Sequence, residues 1–118
     1  MRYMLLIYAS EADFSVMTDE EQAAIMQGHG KFAHEAIQRG ILLGGAPLQA
    51  TSTARTVQVR NGKTLITDGP FAETKEQLAG TYILECKDME EAIELAAKIP
   101  DASYGSVEIR PVLDIQPG

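Results

Sequence analysis

Two β-α-β runs separated by a β-hairpin predict an α+β fold of the ferredoxin-like kind, with both helices on one face of an antiparallel sheet. Three observations carry this expectation. An apolar strand opens the chain, a helix with its own start and stop signals follows it, and the same alternation returns after an Asn-Gly turn.

The opening run Arg2–Ala9 is short, apolar and partly aromatic, which suits a buried strand. Residues Ser10 to Met17 read as a loop. Thr18 and Glu21 then form a capping box in which the hydroxyl accepts from the Glu21 amide and the carboxylate from the Thr18 amide. Asp19, Glu20 and Glu21 lie at the positive end of the helix dipole, and Gly40 supplies the left-handed stop, so a helix spans Asp19 to Arg39. Ile41–Ala46 reads as a second strand loosened by Gly44 and Gly45. Arg55–Arg60 and Lys63–Thr67 flank Asn61-Gly62, a pair that tolerates the positive φ angles of a type I′ hairpin. A loop from Asp68 to Gln77 leads to a strand at Gly80–Cys86. A second helix covers Met89–Ile99, with Asp88 and Glu91 as its capping box and Pro100 closing it, and Ser106–Leu113 is the last strand.

Two helices cover one face of such a sheet. The other face offers apolar groups from strands such as Tyr82-Ile83-Leu84, and a second copy of the chain is the economical cover, giving a homodimer whose sheets face each other.

The 118 residues, 45% hydrophobic and 23% charged, fit one domain spanning 1–118 and exclude disordered and collagen-like classes. No apolar stretch approaches the ~20 residues that span a bilayer, and no basic segment with a cleavage site opens the chain. Cys86 stands alone, which fits a reducing compartment, and the expected localisation is cytoplasmic. Ten basic against seventeen acidic residues give a net charge of −7, with Lys and Arg scattered, so nucleic acid and anionic membranes are poor partners.

Gln22, Ile25, His29, Phe32 and Ala36 share one face of the first helix, which places His29 toward the sheet. His34 lies about 140° further round and faces solvent. Gly28 and Gly30 flank His29 and suggest a kink, or space kept beside the imidazole; a partly buried histidine bonded to a carbonyl is an equally good reading. The five-residue spacing of the histidines is wrong for a metal pair on one helix, and no metal is expected. Asp68 ends a strand on the stiff Gly69-Pro70 turn, where a carboxylate either caps the turn or orients a histidine, while Phe71 reads as a hydrophobic plug. Ser106, Glu108 and Arg110 alternate onto one face of the last strand; Glu108 and Arg110 suit a structural ion pair better than a substrate clamp. Gly44-Gly45 opens no helix, so a phosphate cradle is unsupported and no cofactor is expected.

The run Asp-Gly-Pro-Phe-Ala-Glu-Thr-Lys-Glu-Gln-Leu-Ala-Gly at 68–80 resembles the signature of DGPF-type proteins in the YCII-related family. The opening strand, Gly-Ile-Leu-Leu-Gly-Gly at 40–45, the Asn-Gly-Lys hairpin and Gly-Ser-Val-Glu-Ile-Arg-Pro-Val at 105–112 extend the resemblance over almost the whole chain. It implies a ferredoxin-like unit pairing into a dimeric α+β barrel. From YciI-like relatives it implies a histidine on the first helix paired with an aspartate. Their histidine lies eleven residues before the glycine that ends the helix, as His29 lies eleven before Gly40. The frequent siting of DGPF-type genes beside those of extracytoplasmic-function sigma factors implies a regulatory context.

The expected site is therefore a small-molecule pocket between the first helix and the sheet. His29 serves there as general acid or base, Asp68 holds its tautomer, and Arg110 and Phe71 contact the substrate, with Arg110 pairing to an anionic group. The rival expectation is a non-catalytic module whose acidic surface binds a protein such as a sigma factor.

Overall fold

The structure is a computed structural model that describes residues 1–115; the last three residues of the expected 1–118 domain lie outside the described residues. Its strands are β1 (Arg2–Ala9), β2 (Leu42–Pro47), β3 (Arg55–Arg60), β4 (Lys63–Asp68), β5 (Gln77–Glu85) and β6 (Ser106–Pro111). Its helices are α1 (Glu11–Ser15), α2 (Asp19–Gln38) and α3 (Met89–Ala96), with 3-10 turns at Thr51–Thr53 and Pro100–Ser103. β2-β5-β1-β6 form one antiparallel sheet and β3-β4 a separate hairpin, so the architecture is α+β as the sequence predicts.

Strand alternation sorts the main sheet into two faces. Tyr3, Leu5, Ile7 and Ala9 of β1 are buried and join Phe32 and Ala36 of α2 and Ala92, Leu95 and Ala96 of α3 in the core. Met4, Leu6 and Tyr8 point to the opposite face, where β1 sets Met4 beside Ile83 and Arg110, and Leu6 beside Glu108.

The helix ends follow local chemistry. At α2 both bonds of the Thr18–Glu21 box form, at 3.1 and 3.0 Å. Its far end is a Schellman closure: the Gly40 amide donates to Ile37 and the Ile41 amide to Ala36, with Gly40 at φ 70°. At α3 the Asp88 carboxylate accepts from the Glu91 amide, but Glu91 reaches the amide of Lys87 instead of Asp88, so the expected box is offset by one residue.

Three boundaries depart from the sequence reading. The expected loop after β1 contains α1, because Ser10 caps a helical turn by accepting from the Asp13 amide. β5 begins at Gln77, where Gln77 still pairs with Ala9 beyond a bulge at Ile7/Tyr8. α3 ends at Ala96, and Pro100 opens the 3-10 turn after it, at a position where a missing amide costs nothing.

The hairpin turns through Asn61 and Gly62 at φ 52° and 73°, as a type I′ turn requires. Val57 and Val59 share a face with Ile66, and all three are exposed. The described chain is a slab of 48 × 48 × 18 Å. No helix among the described residues is long and apolar enough to cross a membrane.

Candidate functional site

The helix-facing side of the sheet is filled at one end and empty at the other. Leu84 stands opposite Tyr3 and Leu42 at the filled end. Further along, Gly80 stands opposite Ile7, and Gly45 opposite Tyr82. A Cβ at Gly45 would run into the Thr81 carbonyl, so only glycine lets β2 lie this close to β5, and neither glycine puts a side chain over the sheet. The result is a cleft of about 660 Å³ between α2 and the sheet, rimmed by Glu11 and Phe14 of α1 and by residues 48–50. This volume lies within the ordinary range for small-molecule sites, roughly 300–1,000 Å³.

His29 lines the cleft from α2 with both ring nitrogens engaged. Nε2 lies 2.5 Å from Asp101 Oδ1, and Nδ1 lies 2.9 Å from the Tyr82 hydroxyl. The Asp101 side chain is 6% exposed and that of His29 24%. Because a carboxylate only accepts, the neutral imidazole carries its proton on Nε2, and Nδ1 accepts from Tyr82. Tyr104 donates to the other Asp101 oxygen at 3.1 Å. Phe32 packs against Tyr82 with ring centroids 4.7 Å apart, which fixes the phenol at the inner end of the cleft.

Gly28 makes this meeting achievable. A Cβ there would collide with the Pro100 ring, so glycine lets α2 settle onto the turn that presents Asp101. Gly30 has nothing within 4 Å of such a Cβ, so no steric demand explains it.

Burial alone would raise the Asp101 carboxyl. The hydrogen bond and attraction of His29, the Tyr104 hydroxyl and the backbone of the turn outweigh it, and the pKa is lowered. Burial, then the Asp101 charge, raises Tyr82; burial with the Asp101 charge and hydrogen bond pushes Tyr104 up to about 12. Both phenols are thus held as donors.

The expected partner of His29 is corrected. Asp68 lies at the end of β4 with its side chain 85% exposed and bonds Arg55 at 3.0 Å, because the hairpin carries it away from α2. Phe71 is 87% exposed on the same loop and plugs nothing among the described residues. Arg110 sits on the sheet face opposite the cleft, as its register with Met4 dictates, and bonds Glu108 at 2.8 Å. It therefore cannot pair with an anion bound beside His29. His34 is exposed, as expected. Among the described residues, no three His, Cys, Asp or Glu side chains converge as metal ligands would.

Asp101, Tyr82 and Tyr104 escape a sequence reading that searches within elements. Asp101 meets His29 across 72 positions, and its only local signal is an acid just after the Pro that opens a turn.

Fold and site together define a small α+β protein with an apolar cleft whose inner end holds a His–Asp pair backed by two tyrosines. The chain belongs to the YCII-related family: residues 1–116 match the YCII-related domain. An uncharacterized protein of Rhizobium meliloti (strain 1021) is 37% identical over 120 residues, covering 100% of this chain and 97% of that protein.

Proposed function

We propose that the protein binds a small molecule in the cleft and acts on it by acid–base chemistry, with His29 as the proton-transfer group. One observation carries this reading: an imidazole oriented by a buried carboxylate at the inner end of an apolar cleft. A ligand that draws the Tyr82 hydroxyl onto its own oxygen frees Nδ1 to take a proton from an adjacent C–H or O–H. The proton then resides on Nδ1, Nε2–H stays on Asp101, and the carboxylate stabilises the imidazolium. Tyr82 meanwhile donates to the oxygen on which negative charge develops. Such proton abstraction needs no cofactor.

The unit is a ferredoxin-like fold that pairs into a dimeric barrel. Supporting the pairing are the sheet face bearing Met4, Leu6, Tyr8 and Ile83, which no described helix covers, and the exposed apolar groups of the hairpin.

The test is deuterium exchange at the acidic carbon of 2-tetralone, an uncharged bicyclic ketone, followed by NMR in D2O. Exchange faster than in buffer is expected, with His29→Ala losing about 10²–10⁴-fold of the acceleration. Wild-type protein that binds the ketone yet leaves exchange at the buffer rate overturns the catalytic reading; failure to bind removes the cleft reading as well.

A further inference from the structure

The charges that line the cleft are one-sided. Twenty-three of the described residues face it, and none of these is Lys or Arg, whereas Glu11 stands at its rim and Asp101 at its inner end. Both carboxylates are fixed. Glu11 accepts from the Thr51 amide at 2.8 Å and the Thr51 hydroxyl at 2.7 Å; Asp101 is held by His29 and Tyr104. Amides that elsewhere greet an anion are also occupied: Glu11 N donates to the Gln77 side chain, and Asp13 N to the Ser10 hydroxyl. The remaining wall is mostly apolar, with Ile7, Phe14, Ile25, Met26, Leu42 and Leu48. Its other polar side chains, Ser10, Gln49, Gln77 and Thr81, are uncharged.

Resting on the small-molecule reading above, we infer that the cleft selects an uncharged, largely apolar molecule with an oxygen head that reaches Tyr82, and rejects its carboxylate counterpart. A carboxylate entering this space loses its water, meets no Lys or Arg and approaches two fixed negative groups, while a neutral carbonyl or hydroxyl finds the Tyr82 donor and a mostly apolar wall. Glu11 is the specificity-determining residue at the rim. It touches no reacting atom; it sets the sign of the field that an incoming ligand crosses.

The probes are 2-naphthol and 2-naphthoate, which share a ring system and differ in charge at neutral pH, titrated by fluorescence against the whole chain. Naphthol is expected to bind at least tenfold more tightly. Glu11→Gln keeps an acceptor for Thr51 and should narrow the gap by tightening naphthoate alone. Should that variant fail to fold, raising the salt concentration on the wild type gives the same readout, because screening weakens the repulsion at the open rim and leaves naphthol unaffected. Naphthoate binding as tightly as naphthol overturns the charge selection and leaves the cleft reading standing; binding of neither probe overturns both.

Discussion

His29 is held from two sides by groups of opposite habit, a carboxylate that only accepts and a phenol kept as a donor. The Asp101 charge sets the state of its neighbours, and it can be tested through them. In an alkaline titration followed by phenolate absorbance, Tyr104 should ionise only at about 12, and Tyr82 above the ordinary phenol value of 10.0. Asp101→Asn should move both downward, since it removes the repulsion of a phenolate but leaves the burial. An unchanged profile would mean that Asp101 does not govern these groups. The same carboxylate links folding to acid. Its folded pKa lies below the ordinary aspartate value of 3.8, so its stabilisation is complete above that pH and is lost as pH falls through the lowered value. The Asn variant should show less of this acid destabilisation.

At the scale of elements, α2 does two tasks that its two glycines separate. Gly28→Ala would gain helix propensity but force a methyl into the Pro100 ring, and the imidazole would move off Asp101 with the helix. A net loss of about 1–3 kcal/mol is expected from the overpacking. Gly30→Ala meets open space and should stabilise the protein by roughly 0.5–1 kcal/mol, the ordinary gain of alanine over glycine within a helix. Urea unfolding of the two variants checks the opposite signs, and a stabilised Gly28→Ala would dismiss the close approach. This contrast also marks how far the sequence was legible. The ends of α2 could be read because Thr18, Glu21 and Gly40 act on amides and carbonyls within one turn. The inward face of His29 was legible from the helical period. Its partner was not: Asp68 is conspicuous in its Gly-Pro turn, whereas Asp101 is an ordinary acid in a short turn, brought to His29 by tertiary packing alone. The cleft was legible only as a location between helix and sheet, since its size depends on glycines meeting helix-facing positions across strands.

At the scale of the whole molecule, shape carries the argument. A compact chain of this length has a radius of gyration of about 13–14 Å, and this one measures 16.4 Å with a thickness of 18 Å. Part of the excess is the hairpin, a two-stranded ribbon of a kind that is marginal by itself in water. It nevertheless presents Val57, Val59 and Ile66 on one face, and Phe71 follows on the next loop, all exposed. In the dimer proposed above, a second copy would cover both this ribbon and the bare sheet face without requiring a further partner, and two-fold symmetry would let each hairpin serve the other chain. The expected result in sedimentation at micromolar concentration is a particle of twice 12.8 kDa, with a melting temperature that rises with protein concentration. The double variant Val57→Lys, Ile66→Lys separates a docked hairpin from a free one. On a free hairpin each exposed substitution shifts stability by no more than about 0.5 kcal/mol and leaves the mass unchanged. On a docked one it places two ammonium groups in an apolar contact in each half of the dimer, and the particle should dissociate toward monomer. A wild type that sediments as a monomer at every concentration tested would leave the bare sheet face and the hairpin without their proposed cover.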